Sequence, residues 1–196
     1  MKHSAGFTLI ELMFTLVLAA IIAVLAVPSF NTTIANNRMV TKVNEMVTSL
    51  TLGRSEAIKR ASTVTVCKST NGTSCATSGA WTQGWMVFVD ANGDGVVDAG
   101  DIVLQVYQGS PGALTVNGDG AAGNRITFNS RGFVSTLPAV VSGVTLADAT
   151  LTVCDSRGAS EARGLIVNVS GRVARARDTN ADGIEENASG TNLSCP

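Results

Sequence analysis

Residues Gly6 to Pro28 read GFTLIELMFTLVLAAIIAVLAVP, and no other stretch limits the fold as strongly. Between Phe7 and Val27 the one charge is Glu11. At about 1.5 Å per residue, a helix over this span covers roughly 30 Å, the thickness of a bilayer's hydrocarbon core. A secretory signal peptide has a longer basic start, a shorter apolar centre and a small-residue cleavage site behind it. Nothing resembling Ala-x-Ala stands near Pro28, so the expected processing point lies before the apolar helix. A carboxylate in lipid costs roughly 2.5–3.5 kcal/mol even on lenient insertion scales. Glu11 therefore either snorkels to the interface or awaits a partner charge that selects for assembly and sets register.

Beyond Pro28 the pattern becomes amphipathic. Met39, Val43, Met46, Val47, Leu50, Ala57 and Ile58 recur at steps of three and four, with Arg38, Lys42, Glu45, Arg54, Glu56, Lys59 and Arg60 on much of the remaining surface. The helix is expected to continue to about Ala61. From Ser62 the helical period disappears. TVTVC, GWMVFVD, DIVLQVY, RITFN, TLTVC and GLIVNVS are short strand-like runs punctuated by Gly, Asn, Asp and Ser. No helical pattern of crossover length separates them, so the sheet should be mainly antiparallel. Packed by one face on the stem, it makes an α+β head.

Function classes narrow through what the chain lacks. His3 is the one histidine, and it precedes the apolar run. Removing that segment leaves no imidazole, which excludes His-based triads, His acid/base chemistry and most catalytic zinc sites. The chain reads as a non-enzyme without a cofactor. The balance of 14 basic and 15 acidic residues gives no global field for nucleic acid. Cys67, Cys75, Cys154 and Cys195 fit no zinc spacing. An even number of cysteines in an exported domain favours two disulfides, with three connectivities open. Proximity favours Cys67 with Cys75, leaving Cys154 to fasten the tail through Cys195.

The opening G-FTLIEL resembles the class III leader of type IV pilins and type II secretion pseudopilins. That resemblance implies cleavage between Gly6 and Phe7 by a prepilin peptidase, then N-methylation of Phe7. Glu11 becomes the fifth residue of the mature chain, where the family has its glutamate, and the Phe7 amino group of a neighbouring subunit is its candidate countercharge. Pro28 matches the proline that interrupts the family's N-terminal helix. The implied organisation is a leader over 1–6, a transmembrane half-helix over 7–27, an amphipathic half over 28–61 and a periplasmic β-rich head over 62–196. The fold expected is pilin-like. The head faces the periplasm, the single span lies in the bacterial inner membrane, and the partners are other pilins or pseudopilins.

Inner motifs narrow the resemblance. The stretch GWMVFVDANGDGVVDAGDIVLQVY, with VCDSRG at Val153–Gly158 and VNVSGRV at Val167–Val173, is similar to the GspH/FimT, FimU-like, branch of minor pilins and pseudopilins. In FimT members associated with natural transformation, a Gly-Arg-x-Arg motif contacts DNA. Gly171 and Arg172 match it here, but Ala174 fills the fourth position, with Arg175 and Arg177 following. On a strand Arg172 points to one face and Arg175 and Arg177 to the other. Arg157 and Arg163 could join them in a basic patch that binds phosphate in a salt-sensitive way. A solvated strand edge, charged against unwanted pairing, explains the same residues.

Asp90, Asn92, Asp94, Asp98 and Asp101 occupy positions one, three, five, nine and twelve of an EF-hand-like loop, with Gly95 at six. Its flanks read as strands, so a hairpin turn accounts for these residues and calcium is the alternative. DTNADGIEEN, Asp178–Asn187, repeats the opening of that pattern but has Ser189 at position twelve, and reads as a polar turn. Of Trp81 and Trp85, one is expected to anchor the core. The function expected is structural: a subunit that assembles into or primes a type IV pilus or secretion pseudopilus. DNA binding in uptake is the alternative.

Overall fold

The computed structural model describes residues 6–109, 112, 114–119, 122–135 and 148–196, and not the side chains of 25–29. The leader residues 1–5 lie outside the described residues. Backbone contacts divide the chain into two units, Met1–Arg38 and Met39–Pro196. The helix α1 runs Leu9–Arg60. Pro28, expected to interrupt it, lies within the continuous element. Proline lacks one N–H donor and crowds the preceding turn, which kinks a helix without always ending it.

In the first unit, every described residue from Gly6 to Val24 is exposed, Phe7 at 82 %. In the second, the helix buries Met39, Val43, Met46, Leu50 and Ala57, a stripe at heptad-like steps. Gly53 lies on the packed side, where a Cβ would come within 2.9 Å of a Val66 methyl and 3.3 Å of the Phe128 ring. A side chain there would hold helix and sheet apart.

Among the described residues eight strands follow: β1 Val64–Lys68, β2 Gly84–Val89, β3 Ile102–Gln108, β4 Leu114–Gly118, β5 Arg125–Phe128, β6 Ala149–Asp155, β7 Arg163–Val167 and β8 Val173–Arg175. All pairings are antiparallel. They form two four-stranded sheets, ordered β3-β2-β1-β5 and β4-β6-β7-β8, in place of the single expected sheet. The division follows the pairings: β5 returns to β1, and β4 pairs with β6.

One core serves both sheets and the helix. It gathers Val64 and Val66 of β1, Trp85, Val87 and Val89 of β2, Val116 of β4, Leu151 and Val153 of β6, and Leu165 and Val167 of β7 around the helical stripe. Period-two alternation selects these side chains. The intervening Cys67, Met86 and Phe88 form a second cluster on the opposite face, with Cys75 and Val97 against it. Here the structure joins Cys67 to Cys75 across a loop of sequence separation 8. Cys154 joins Cys195 over a separation of 41, beside a third cluster of Ala162, Ala176 and Leu193.

Both tryptophans are fully buried. Trp81 donates its indole N–H to the Ala122 carbonyl at 3.0 Å. Trp85 stacks on Tyr107, with ring centroids 5.0 Å apart, beneath the Lys42 ammonium at 5.1 Å. Lys42 is paired in turn with Glu45 at 2.7 Å.

Candidate functional site

Three regions carry the candidate functional residues: the start of α1, the turn between β2 and β3, and the C-terminal strands. At the helix start, Thr8 acts as the cap. Its Oγ1 accepts the Glu11 N–H at 3.3 Å, and its carbonyl accepts the Leu12 N–H at 3.2 Å. Thr8-Leu9-Ile10-Glu11 is the Thr-x-x-Glu pattern of a capping box, a local role not read from the sequence. Only the threonine half of that box is closed. The Glu11 side chain is exposed and makes no ion pair among the described residues. The helix N-terminus favours a carboxylate at this position by roughly 0.3–1 kcal/mol, less than its cost in lipid.

Around it lies an apolar surface without cover: Leu9, Ile10, Leu12, Met13, Phe14, Leu16, Val17 and further residues to Val24 are exposed. Such a continuous patch marks an interaction or membrane surface. Among the described residues, no helix is long and apolar enough to cross a membrane. The expected span over 7–27 includes residues 25–27, whose side chains lie outside the described set.

The five arginines of the C-terminal region do not share one environment. Arg157 is held by Asp155 at 2.6 Å and by Glu161 at 3.4 Å. The Arg157 hydrogen bond keeps the Asp155 carboxyl below its usual range, against the effect of burial. Arg163 pairs with Glu185 at 3.6 Å. These two are therefore neutralised rather than added to a basic patch. Arg175 ends β8 and donates to Asn44 of α1 at 3.1 Å, an anchoring contact of strand to helix. Arg172 and Arg177 are exposed and make no ion pair among the described residues.

In the Asp90–Asp101 turn the acidic side chains cap backbone. Buried Asp90 accepts the Thr65 hydroxyl at 2.8 Å and the N–H groups of Gly93 and Gly95 at 2.7 and 2.9 Å. Asp94 accepts the Val96 N–H, and Asp101 accepts the N–H groups of Ala91 and Asp98. The Asn92 amide nitrogen faces Asp94 and Asp98. These bonds account for the turn between β2 and β3.

The fold is that of a pilin. It is similar to two crystal structures of the type IV minor pilin FimU of Pseudomonas aeruginosa strain PAO1, each at 20 % identity. One, in space group P21, gives a TM-score of 0.55 over 82 % of this chain and 96 % of that chain; the other, in P65, gives 0.50 over 84 % and 99 %. The chain belongs to the GspH family, described as type II transport protein GspH, whose pattern matches residues 42–171. Residues 1–27 match the prokaryotic N-terminal methylation motif. Among curated proteins none matches the sequence. Membership implies association with other pilins, and the motif implies processing by a prepilin peptidase.

Proposed function

We propose that the chain is a structural minor subunit, performing no reaction, that assembles into or primes a type IV pilus or type II secretion pseudopilus. The carrying observation is the uncovered apolar surface from Phe7 to Val24 with Glu11 as its one charge. In this reading the segment anchors the subunit in the inner membrane and then packs among other subunits' helices. The methylated amino group of Phe7 on a neighbour supplies the countercharge of Glu11. The head over 62–196, in the periplasm, presents the contact surfaces of the filament tip.

Mass spectrometry of the mature N-terminus tests the processing step. A chain beginning at N-methyl-Phe7 is the expected product. An intact Met1, or a cut beyond Pro28, overturns the reading.

DNA binding through Arg172, Arg175 and Arg177 has less support. Arg175 is engaged with Asn44, and two flanking arginines are ion-paired. The full chain in detergent should leave duplex DNA unshifted at low salt, where phosphate contacts are strongest. A shift abolished by replacing the three arginines would reverse this preference.

A further inference from the structure

In the C-terminal loop that begins at Asp178, three carboxylates converge from positions one, five and nine of the EF-hand-like spacing, although Ser189 fills position twelve. Asp178, Asp182 and Glu186 each bring one carboxylate oxygen to within 4.8 Å of the other two. Asp178 and Asp182 are exposed, whereas Glu186 is 4 % exposed. None of the three makes an ion pair among the described residues. Three anions this close repel one another, and among the described residues only uncharged N–H donors, of the backbone and of Asn180 and Asn192, face them.

A second observation separates this loop from an ordinary acidic turn. Glu186 Oε2 accepts the Thr179 N–H at 2.7 Å, but Oε1 is buried with no hydrogen-bond partner among the described residues. An unsatisfied buried acceptor is costly, and more so on a carboxylate. The backbone holds Glu186 in place: its N–H donates to the Arg177 carbonyl at 3.0 Å, and it bridges to Asn192. The side chain is thus fixed with one oxygen committed and the other waiting.

We infer that Asp178, Asp182 and Glu186 form a binding site for a hard divalent cation of the calcium type. Every donor is oxygen, which excludes a soft-metal preference, and three carboxylates leave room for carbonyl and water ligands in a coordination shell of six to eight. The turn itself is already built. Asp178 accepts the N–H groups of Ala181 and Gly183 at 2.7 and 2.8 Å, and Gly183 takes φ +88°, which favours glycine. Asn192 donates to Asp182 at 2.6 Å, fixing that carboxylate from the tail. Bound cation would tie this loop to the segment that ends at the Cys154–Cys195 disulfide.

Calorimetric titration of the full chain in detergent micelles with calcium chloride, from chelator-treated buffer, tests the site. One saturable site is expected, with a dissociation constant on the order of 10⁻⁴–10⁻³ M, and weaker binding of magnesium. Asp182→Asn and Glu186→Gln should each weaken calcium binding about tenfold or more, while Asp94→Asn in the other acidic turn should leave it unchanged. Circular dichroism confirms folding, and the exposed Asp182 variant carries the test if Glu186→Gln misfolds. Absence of saturable binding by the folded chain overturns the site. So does binding that survives Asp182→Asn and disappears in Asp94→Asn.

Discussion

The Trp85 indole N–H donates to Ser49 Oγ at 2.7 Å, and that hydroxyl donates onward to the Glu45 carbonyl at 2.7 Å. Both side chains are fully buried, so a relay of two hydrogen bonds joins β2 to α1 through the core. Ser49→Ala leaves the indole N–H without its acceptor and should cost about 1–3 kcal/mol of stability. In urea unfolding, adding Ser49→Ala to Trp85→Phe should cost less than it does alone, because the stranded donor is gone.

Gly53 makes a sterically opposite prediction to helix propensity. On an exposed helix, replacing glycine gains about 1 kcal/mol. At this position the new side chain meets Val66 and Phe128, so Gly53→Leu should lose about 1–3 kcal/mol. Combining it with Val66→Ala should recover part of the loss in the same denaturation assay.

The two disulfides close loops of very different length, with separations of 8 and 41. Under the chain-entropy relation, the longer contributes about 4 kcal/mol and the shorter about 2.5 kcal/mol. Replacing Cys154 and Cys195 by serine should therefore lower the unfolding midpoint more than replacing Cys67 and Cys75.

Asp155 supplies an acid-sensitive contribution. Its folded carboxyl lies below the ordinary value of 3.8 because of the Arg157 hydrogen bond, so the unfolded chain binds more protons. The resulting stability is present above that ordinary value and is lost as pH falls through the depressed one. Arg157→Gln should be less stable than the parent at about pH 6, by on the order of 1 kcal/mol. The gap should narrow toward about pH 2 in thermal melts.

Glu11→Ala addresses assembly. It removes a charge whose burial in lipid costs roughly 2.5–3.5 kcal/mol unless paired. The variant should reach the membrane at normal levels yet fall by about tenfold or more in the sheared filament fraction. Normal incorporation would defeat the docking account.

Much of the fold was legible because burial imposes period on sequence. The stripe Met39–Val43–Met46–Leu50 announced the buried helix face, and TVTVC and GWMVFV announced β1 and β2. β4 is as long as β1 but carries Asn117 and ends in Gly118, and β8 has three residues, so neither stood out. Their assignment to a second sheet depended on pairings between distant segments. Arg163 looked like an ally of the later arginines because Glu185 meets it only through folding, whereas the acids that hold Arg157 lie close in sequence. Local pattern did encode the Asp178 turn and the order of Asp178, Asp182 and Glu186, but not the burial of Glu186.

Among the described residues, no member of the main core cluster precedes Met39. If the segment before Met39 passes from lipid to neighbouring helices, as proposed, the main core of the second unit is not among the surfaces that change. On that proposal, leaving the bilayer would be a change of solvent for one surface, with no refolding of the β-rich unit in the work of polymerisation.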